Sequence, residues 1–504
     1  MKLISNILIF IVLIISAHGM AQSEALPNDS MIAYFEKAHA EFDINGMSII
    51  ILKDDSVFLD WNKGLAQENV EVTQESVYNI ASCTKAFTAA AIAQLVDQGK
   101  LNWDDKVIDY LPEFKLADPY ITTHLTIEDL LTHRSGLGTF YGDLLWYETQ
   151  RTRKEVIERL QYLPITNDFR SEYGYQNTMY MVAAEILEQV TGQSWGAYLS
   201  EQFFQPMGMN ETRINGGALE ETQQIAYPMI NQEVVGITMM NTHAAASLFS
   251  STKDLSIWAQ MLLNKGIING DTILLASVVN DMMAPRMAKK VSGLRRMSGA
   301  QFSTYALGWN VWDHNGIKVV EHAGGMPGYI AQVTLVPQED LAIIILTNTL
   351  TGLPTALEMY ILDAFLKHEN NDWAQKFLSF KQRGDLREKT DSIKRVESRI
   401  PHTKPSLDLE KYVGVYEDEM YGKAQVTLDD NGKLQMVFLP TKDLFFGELK
   451  HWHYDTFQVQ FADPFLPAGY ISFSFDSRRN IQGFKIDLKS NDFHFFNLEF
   501  HRVE

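Results

Sequence analysis

Ser82 and Lys85 stand three residues apart in Ile80-Ala81-Ser82-Cys83-Thr84-Lys85, at the head of an alanine-rich run. Residues i and i+3 of a helix share a face. The spacing predicts a hydroxyl held beside an amine, the nucleophile-and-base pair of an acyl-transfer site. Taken alone, a helix-start serine and a solvated lysine account for the same residues. Such a site also needs a group that carries a proton to the leaving group and donors that hold an oxyanion. Tyr175-Gln176-Asn177 offers the first. A phenol relays a proton if a nearby lysine lowers its pKa. Asn177 either caps the helix that follows or binds the lysine and a substrate carbonyl. Tyr173 lies close by, but the Tyr-x-Asn spacing selects Tyr175. Glu321-His322-Ala323-Gly324-Gly325 offers the second. Glycines at a strand end admit a substrate backbone, and the amides of Ser82 and Gly325 are the expected oxyanion donors. The plainer reading of this stretch is a turn with a surface histidine.

These residues need a frame. Residues 31–46 carry Ile32, Phe35, Ala38 and Phe42 on one helical stripe, and Met47–Leu52 and Val57–Trp61 read as a hairpin. The helix after Ser82 is apolar all round, hence buried on all sides, and Gly99 ends it. Helical patterns then dominate from about 100 to 300, with a loop-like stretch around Gly216-Gly217. Strand patterns return at Tyr305–Val311, Ile317–Glu321, Ile330–Val336 and Leu341–Thr347, and Thr355–Phe365 reads as a closing helix. The simplest assembly is one antiparallel sheet built from both ends of the region, packed on the Ser82 helix, with a helical subdomain inserted. Residues 368–405 are polar and charge-rich, a linker or an exposed helix. From 406 to 504 the chain reads as short strands: Tyr412–Tyr416, Ala424–Leu428, Leu434–Phe438, Phe457–Phe461, Tyr470–Phe475, Ile481–Ile486 and Phe493–Phe500. With a hairpin turn at Asn431-Gly432, these predict an antiparallel barrel or sandwich.

Composition excludes some functions. The 504 residues carry a net charge of −20 with 46% hydrophobic and 21% charged residues. That is globular, and too acidic for nucleic acid or an anionic membrane surface as a main partner. Residues 1–21 have the form of a secretory signal peptide: Lys2, the apolar run Ile7–Ile15, and small residues at Gly19 and Ala21. Cleavage is expected after Ala21. No cysteine stands near it, so a lipid anchor is not expected, and no later window is long and apolar enough to span a bilayer. The expectation is an exported protein, periplasmic or secreted. The single cysteine, Cys83, leaves no internal disulfide. It reads as a small buried residue rather than a nucleophile. His451 and His453 share a strand face, but no carboxylate is placed to complete a metal site. No metal or organic cofactor is expected.

Ser82-x-x-Lys85, Tyr175-x-Asn177 and His322-x-Gly324, in this order, resemble the three motifs of class C β-lactamases and related penicillin-binding serine hydrolases. So do Gly99-Lys100-Leu101-Asn102-Trp103-Asp104-Asp105, Tyr110-Leu111-Pro112, Leu130-Leu131-Thr132-His133-Arg134-Ser135-Gly136, and Ala183–Leu187 with Val190-Thr191-Gly192. The likeness spans about residues 30–366. It implies an α/β (α+β) β-lactamase/transpeptidase-like domain at 22–367, with residues 368–405 as linker. Tyr412-Val413-Gly414-Val415-Tyr416 resembles the start of a lipocalin-like all-β barrel found in some members, here 406–504.

The resemblance implies two-step acyl transfer. Lys85, kept neutral by burial and the positive end of its helix, deprotonates Ser82. Tyr175 protonates the leaving group and then activates water. Asn177, His322, Gly324 and Gly325 bind substrate or oxyanion. True β-lactamases and D,D-peptidases typically carry Lys-Thr-Gly or a close variant where this chain has His322-Ala323-Gly324, which resembles the esterase and aminopeptidase branches. The expected substrate is a small molecule or peptide, with an ester or a D-amino-acid amide cleaved. The alternatives are a β-lactamase or D,D-carboxypeptidase, or a non-catalytic ligand-binding relative. A homo-oligomer is compatible with this family.

Overall fold

The structure is a computed structural model that describes residues 28–503, apart from 216–218, 220–223, 231, 239–243, 367, 369 and 370. The expected signal peptide and the Gly216-Gly217 loop lie outside the described residues.

A nine-stranded antiparallel sheet organises residues 28–366. Its order across the sheet is Met287–Ala288, Ser303–Tyr305, Asn310–His314, Ile317–Met326, Tyr329–Val336, Leu341–Thr347, Gly46–Lys53, Ser56–Gln67 and Val70–Glu71. Gly46–Lys53 joins the two ends of the region, pairing Ile49 with Ile345 on one side and Trp61 on the other. This is the sheet assembled from both ends that the strand patterns predict. Its central strands are buried on both faces, hence the unbroken run Leu341-Ala342-Ile343-Ile344-Ile345-Leu346-Thr347. Helices Asn28–Glu41 and Leu353–Phe365 cover one face, with Tyr34 stacked on Tyr360 at 3.8 Å between ring centroids. The Ser82 segment and the helical insert cover the other.

The helix after Ser82 runs Thr84–Asp97, and Thr84 through Ala93 are all buried. Alanines let neighbouring backbones approach closely, while Phe87 fills the remaining space against Trp258 at 4.2 Å. Gln98 caps the helix and Gly99, at φ 67°, turns the chain out of it in a left-handed conformation suited to glycine. The helix Thr178–Thr191 follows Asn177 and stops at Gly192, φ 69°.

Residues Trp373–Glu397 form one 25-residue helix, buried at Trp373 and Ala374, half-buried from Lys376 to Ser379 and mostly exposed beyond. The charge-rich stretch is thus helix in its middle. Arg395, in its last turn, lies 4.5 Å over the Tyr470 ring and donates to Asp487 Oδ2 at 2.6 Å.

A closed barrel of eight antiparallel strands follows: Gly414–Asp418, Gly422–Leu428, Leu434–Phe438, Phe446–His453, Thr456–Val459, Gly469–Phe475, Ile481–Asp487 and Phe500–Arg502. Each pairs with the next, and the last returns to the first, Tyr416 opposite Arg502. Its interior is filled by aromatic side chains, Phe484 stacked on Phe500 at 4.5 Å among them. Two local expectations differ from what is seen. Phe446–His453 is a strand although its charged and glycine residues blur alternation. Phe493–Phe500 is mostly a loop around one short 3-10 turn, and only its end joins a strand.

The barrel packs directly on the helical insert. Arg159 Nη1 donates to the carbonyls of Glu419 (3.1 Å) and Met420 (2.9 Å), and Arg151 donates to the Tyr421 carbonyl. Tyr147 meets Phe493 at 4.3 Å between ring centroids, so one apolar core runs through both parts. No helix of the described residues is long and apolar enough to cross a membrane.

Candidate active site

Ser82 lies in a 3-10 turn, Ala81–Cys83, that leads into the buried helix. Ala81 is held at φ 45°, a left-handed conformation that costs a non-glycine residue roughly 1–2 kcal/mol. Asn79 secures it by accepting the Ala81 amide at 2.7 Å. Strain held in this way clusters at functional sites.

Lys85, one helical turn on, is fully buried and donates to three oxygens: Ser82 Oγ at 3.1 Å, Asn177 Oδ1 at 2.6 Å and the Ala245 carbonyl at 2.9 Å. Burial lowers its pKa from 10.5 to about 7, with Asp143 working against that shift. Asn177 makes no cap bond with its side chain. It bridges instead, donating from Nδ2 to Asp143 Oδ2 at 2.7 Å, while Trp146 Nε1 donates to Asp143 Oδ1 at 2.9 Å. Burial raises Asp143 to about 7 against those two bonds. The lysine is therefore poised between its charged and neutral forms beside a serine hydroxyl. Such a pair can pass a proton from the serine as it attacks a carbonyl.

Tyr175 completes the triangle. Its ring centroid is 4.8 Å from Lys85 Nζ. The expected lowering of its pKa by the lysine is not what the structure gives. Burial drives the phenol well above its ordinary value, and a hydrogen bond with Ser82 acts only partly against that. Lys85 Nζ lies over the ring face. Tyr175 is a phenol that can give a proton before it can accept one.

The strand Ile317–Met326 closes the site. A β-carbon on Gly324 would run into the Ile80 carbonyl and come within 2.9 Å of the Ser82 nitrogen. Glycine is required there because the strand crosses the Ser82 turn backbone to backbone. We expect Gly324→Ala to push the two apart and lower kcat/KM by about 10², measured beside circular dichroism to show that the fold persists. Gly325 has no such restriction; it and Ser82 both line the cavity. His322 is buried rather than at the surface. Its Nδ1 lies 2.7 Å from the Ala323 carbonyl, which can only accept, so Nδ1 carries the proton and Nε2 accepts from Tyr305 Oη at 2.9 Å. Burial holds its pKa down, at about 3, so it is neutral. Cys83 donates to the His322 carbonyl at 3.2 Å, and burial raises its thiol pKa. It packs as a small residue with no thiolate to offer.

Ser82, Tyr175, Asn177, His322, Gly324 and Gly325 all line one cavity of about 600 Å³. Lys85 reaches it through Ser82 and Asn177. Sequence spacing did not single out Asp143, Tyr305 or Lys289, nor the wall that the barrel adds with Phe465, Asp492 and Phe493. His133 belongs to a family-like stretch but stands outside the three motifs. It is buried at φ 60°, accepts the Gln176 amide at Nδ1, and lies 4.3 Å from the Tyr175 ring. His451 and His453 bond to backbone around Tyr454 and Ile400. Among the described residues no group of three or more histidines, cysteines or carboxylates is arranged to hold a metal.

Comparison with known proteins bears on the family and the fold. The chain is 26% identical over 452 residues to "Unguisins hydrolase ungD'" of Aspergillus campestris, covering 80% of each chain. It is 26% identical over 344 residues to "Protein flp" of Staphylococcus aureus strain MW2, covering 64% of this chain and 62% of that one. The octameric penicillin-binding protein homologue from Pyrococcus abyssi has the same fold, at TM-score 0.59 and 20% identity. That match covers 94% of this chain and all of the other. Residues 398–502 match a "Domain of unknown function (DUF3471)". The beta-lactamase family model matches residues 31–366, and the chain belongs to that family.

Proposed function

We propose that this protein is an exported serine hydrolase that cleaves ester or amide bonds through an acyl-enzyme. In this reading residues 22–367 carry the chemistry, 368–405 connect, and 406–504 form the barrel. The observation that carries it is the contact between Lys85 Nζ and Ser82 Oγ at 3.1 Å inside a buried network that brings the lysine near neutrality. Ser82 Oγ attacks the carbonyl carbon while Lys85 takes its proton. The amides of Ser82 and Gly325 receive the oxyanion; one such donor is typically worth about 3–4 kcal/mol. Tyr175 gives its proton to the departing oxygen or nitrogen and takes one back from the water that releases the acyl group, while Lys85 returns its proton to Ser82 Oγ as that oxygen leaves. Asn177 fixes Lys85 and meets the substrate carbonyl.

The neutral His322 favours small esters or D-amino-acid-containing peptides over β-lactams, because an uncharged imidazole stands where the β-lactamase motif carries a lysine. The name of the Aspergillus relative, a hydrolase, supports the reaction class. A parallel assay on a p-nitrophenyl ester, D- and L-aminoacyl anilides and a chromogenic cephalosporin tests the reading. Turnover of the ester or a D-aminoacyl anilide is expected. Hydrolysis of the cephalosporin alone would point to a β-lactamase. Silence on all, with no labelling by a fluorophosphonate, would leave a ligand-binding protein.

A further inference from the structure

A second cavity, of about 680 Å³, lies beside the one that holds Ser82, and the chemistry above makes no use of it. Ile330, Leu350 and Thr351 line both, so the two adjoin. Its walls come from separate stretches of the chain. Phe42 follows the first helix, Met229 and Ile230 stand in a short hairpin, and Phe377 and Phe380 lie in the N-terminal half of the Trp373–Glu397 helix. The two phenyl rings are 5.8 Å apart. Phe377 rests on Gly352, where a β-carbon would come within 3.0 Å of its ring. Leu350 and Phe380 are 45% and 37% exposed, large apolar side chains left in contact with water. Apolar surface of this kind beside a reactive centre is the usual make-up of a ligand groove. A stretch with the composition of a solvated linker thus supplies an apolar wall next to the active site.

The polar side chains of the groove already bond within the chain. Asn45 Nδ2 donates to the Leu65 carbonyl at 2.9 Å, and the Asn45 amide donates to Thr349 Oγ1 at 3.0 Å. Thr351 Oγ1 accepts the Leu353 amide at 3.2 Å, and Gln232 Nε2 donates to Asp43 Oδ2 at 2.7 Å. Asp43 and Lys381, the charged residues of the lining, are exposed. A peptide laid here would find few partners for its amides, whereas a hydrocarbon chain needs only apolar area. The strand Ile317–Met326 sets the direction. Tyr175, which protonates the leaving group in the reading above, stands at its His322 end, with 6.2 Å between ring centroids. The second cavity lies towards the other end, where Ile330 pairs with Gly325. A chain that reaches it belongs to the acyl half of the substrate.

We propose that this groove is an acyl-chain subsite, so that the enzyme prefers esters and amides of medium-chain fatty acids to those of short ones. The proposal rests on the hydrolase reading for its meaning, but its binding test does not. Binding is measured on Ser82→Ala, which removes turnover from the question. By calorimetry, octanamide is expected to bind this variant at least about tenfold more tightly than butanamide, since each fully buried methylene is worth about threefold. Adding Phe380→Asp should erase most of the difference, and so should Leu350→Asp. Equal binding of the two amides would overturn the subsite, as would a preference that survives both substitutions. N-acetyl-trialaninamide binding as tightly as octanamide would make the groove a peptide site and overturn the hydrocarbon assignment. In the parent enzyme, kcat/KM should be about tenfold or more higher for 4-nitrophenyl octanoate than for 4-nitrophenyl butanoate, and that ratio should collapse with Phe380→Asp. Loss on both esters in equal proportion would mean that Phe380 only supports the fold. A gain for octyl acetate over butyl acetate, with none along the acyl series, would overturn the direction. Absence of ester turnover would sink the hydrolase reading and leave the calorimetric result to decide this one.

Discussion

Ser82→Ala is expected to remove turnover, with kcat falling on the order of 10⁴ to 10⁶, and to abolish labelling by a fluorophosphonate. Ser82 is the hydroxyl that Lys85 contacts, and it sits where the Gly324 strand leaves room for nothing between backbones. Cys83, the neighbouring thiol, is buried and bonded to the His322 carbonyl, so it offers no substitute nucleophile. The substitution removes one oxygen from a turn held by Asn79, and the melting temperature should move little. Retained turnover in Ser82→Ala would mean that another nucleophile does the work.

Lys85→Met is the second large effect, with a loss in kcat on the order of 10³ or more because base and nucleophile act as a unit. The base form of Lys85 is the useful one. At its ordinary value of 10.5 only about one molecule in three thousand would carry it at pH 7. With the pKa lowered to about 7, roughly half do. The parent's kcat/KM should therefore rise with pH through about 7 and then level. A flat profile from pH 5 to 8 would remove Lys85 from the base role. The sign for stability is the reverse. A lysine whose folded pKa lies below its unfolded value costs the fold stability as pH falls from 10.5 towards 7, and the cost is full below that. Methionine removes this cost but leaves Asn177 Oδ1 and the Ala245 carbonyl without their donor, a penalty of about 1–3 kcal/mol each. The two nearly offset, so Lys85→Met should melt close to the parent while its activity collapses.

The parts of the site that could be read in advance are those set by local spacing. Ser82 and Lys85 needed only one helical turn, and Tyr175, Asn177 and His322 stood in ordered motifs. Asp143 and Lys289 could not be found that way. Neither belongs to a motif, and each matters only because folding sets it beside residues far along the chain. Within the barrel, the apolar residues of Phe493–Phe500 predict a strand. Phe493, Phe495, Leu498 and Phe500 are indeed buried, but a hydrophobic pattern reports which side chains leave water, not which backbone carries them there. The electrostatic state of Tyr175 departs from the expectation for a related reason. Proximity to a lysine was visible in the motifs, while the desolvation that outweighs it depends on the whole fold.

Phe465, Asp492 and Phe493 come from the barrel, yet they form part of the wall facing Ser82. In the proposed reading, the bond-breaking residues and part of the cavity wall come from separate regions of the chain. Changes in the barrel loops can re-cut the size and charge of what is let in while the acylating residues stay untouched. Two relatives with identical chemistry can then differ in diet through loop sequence alone, and a chimera that exchanges barrels should inherit its selectivity from the barrel donor.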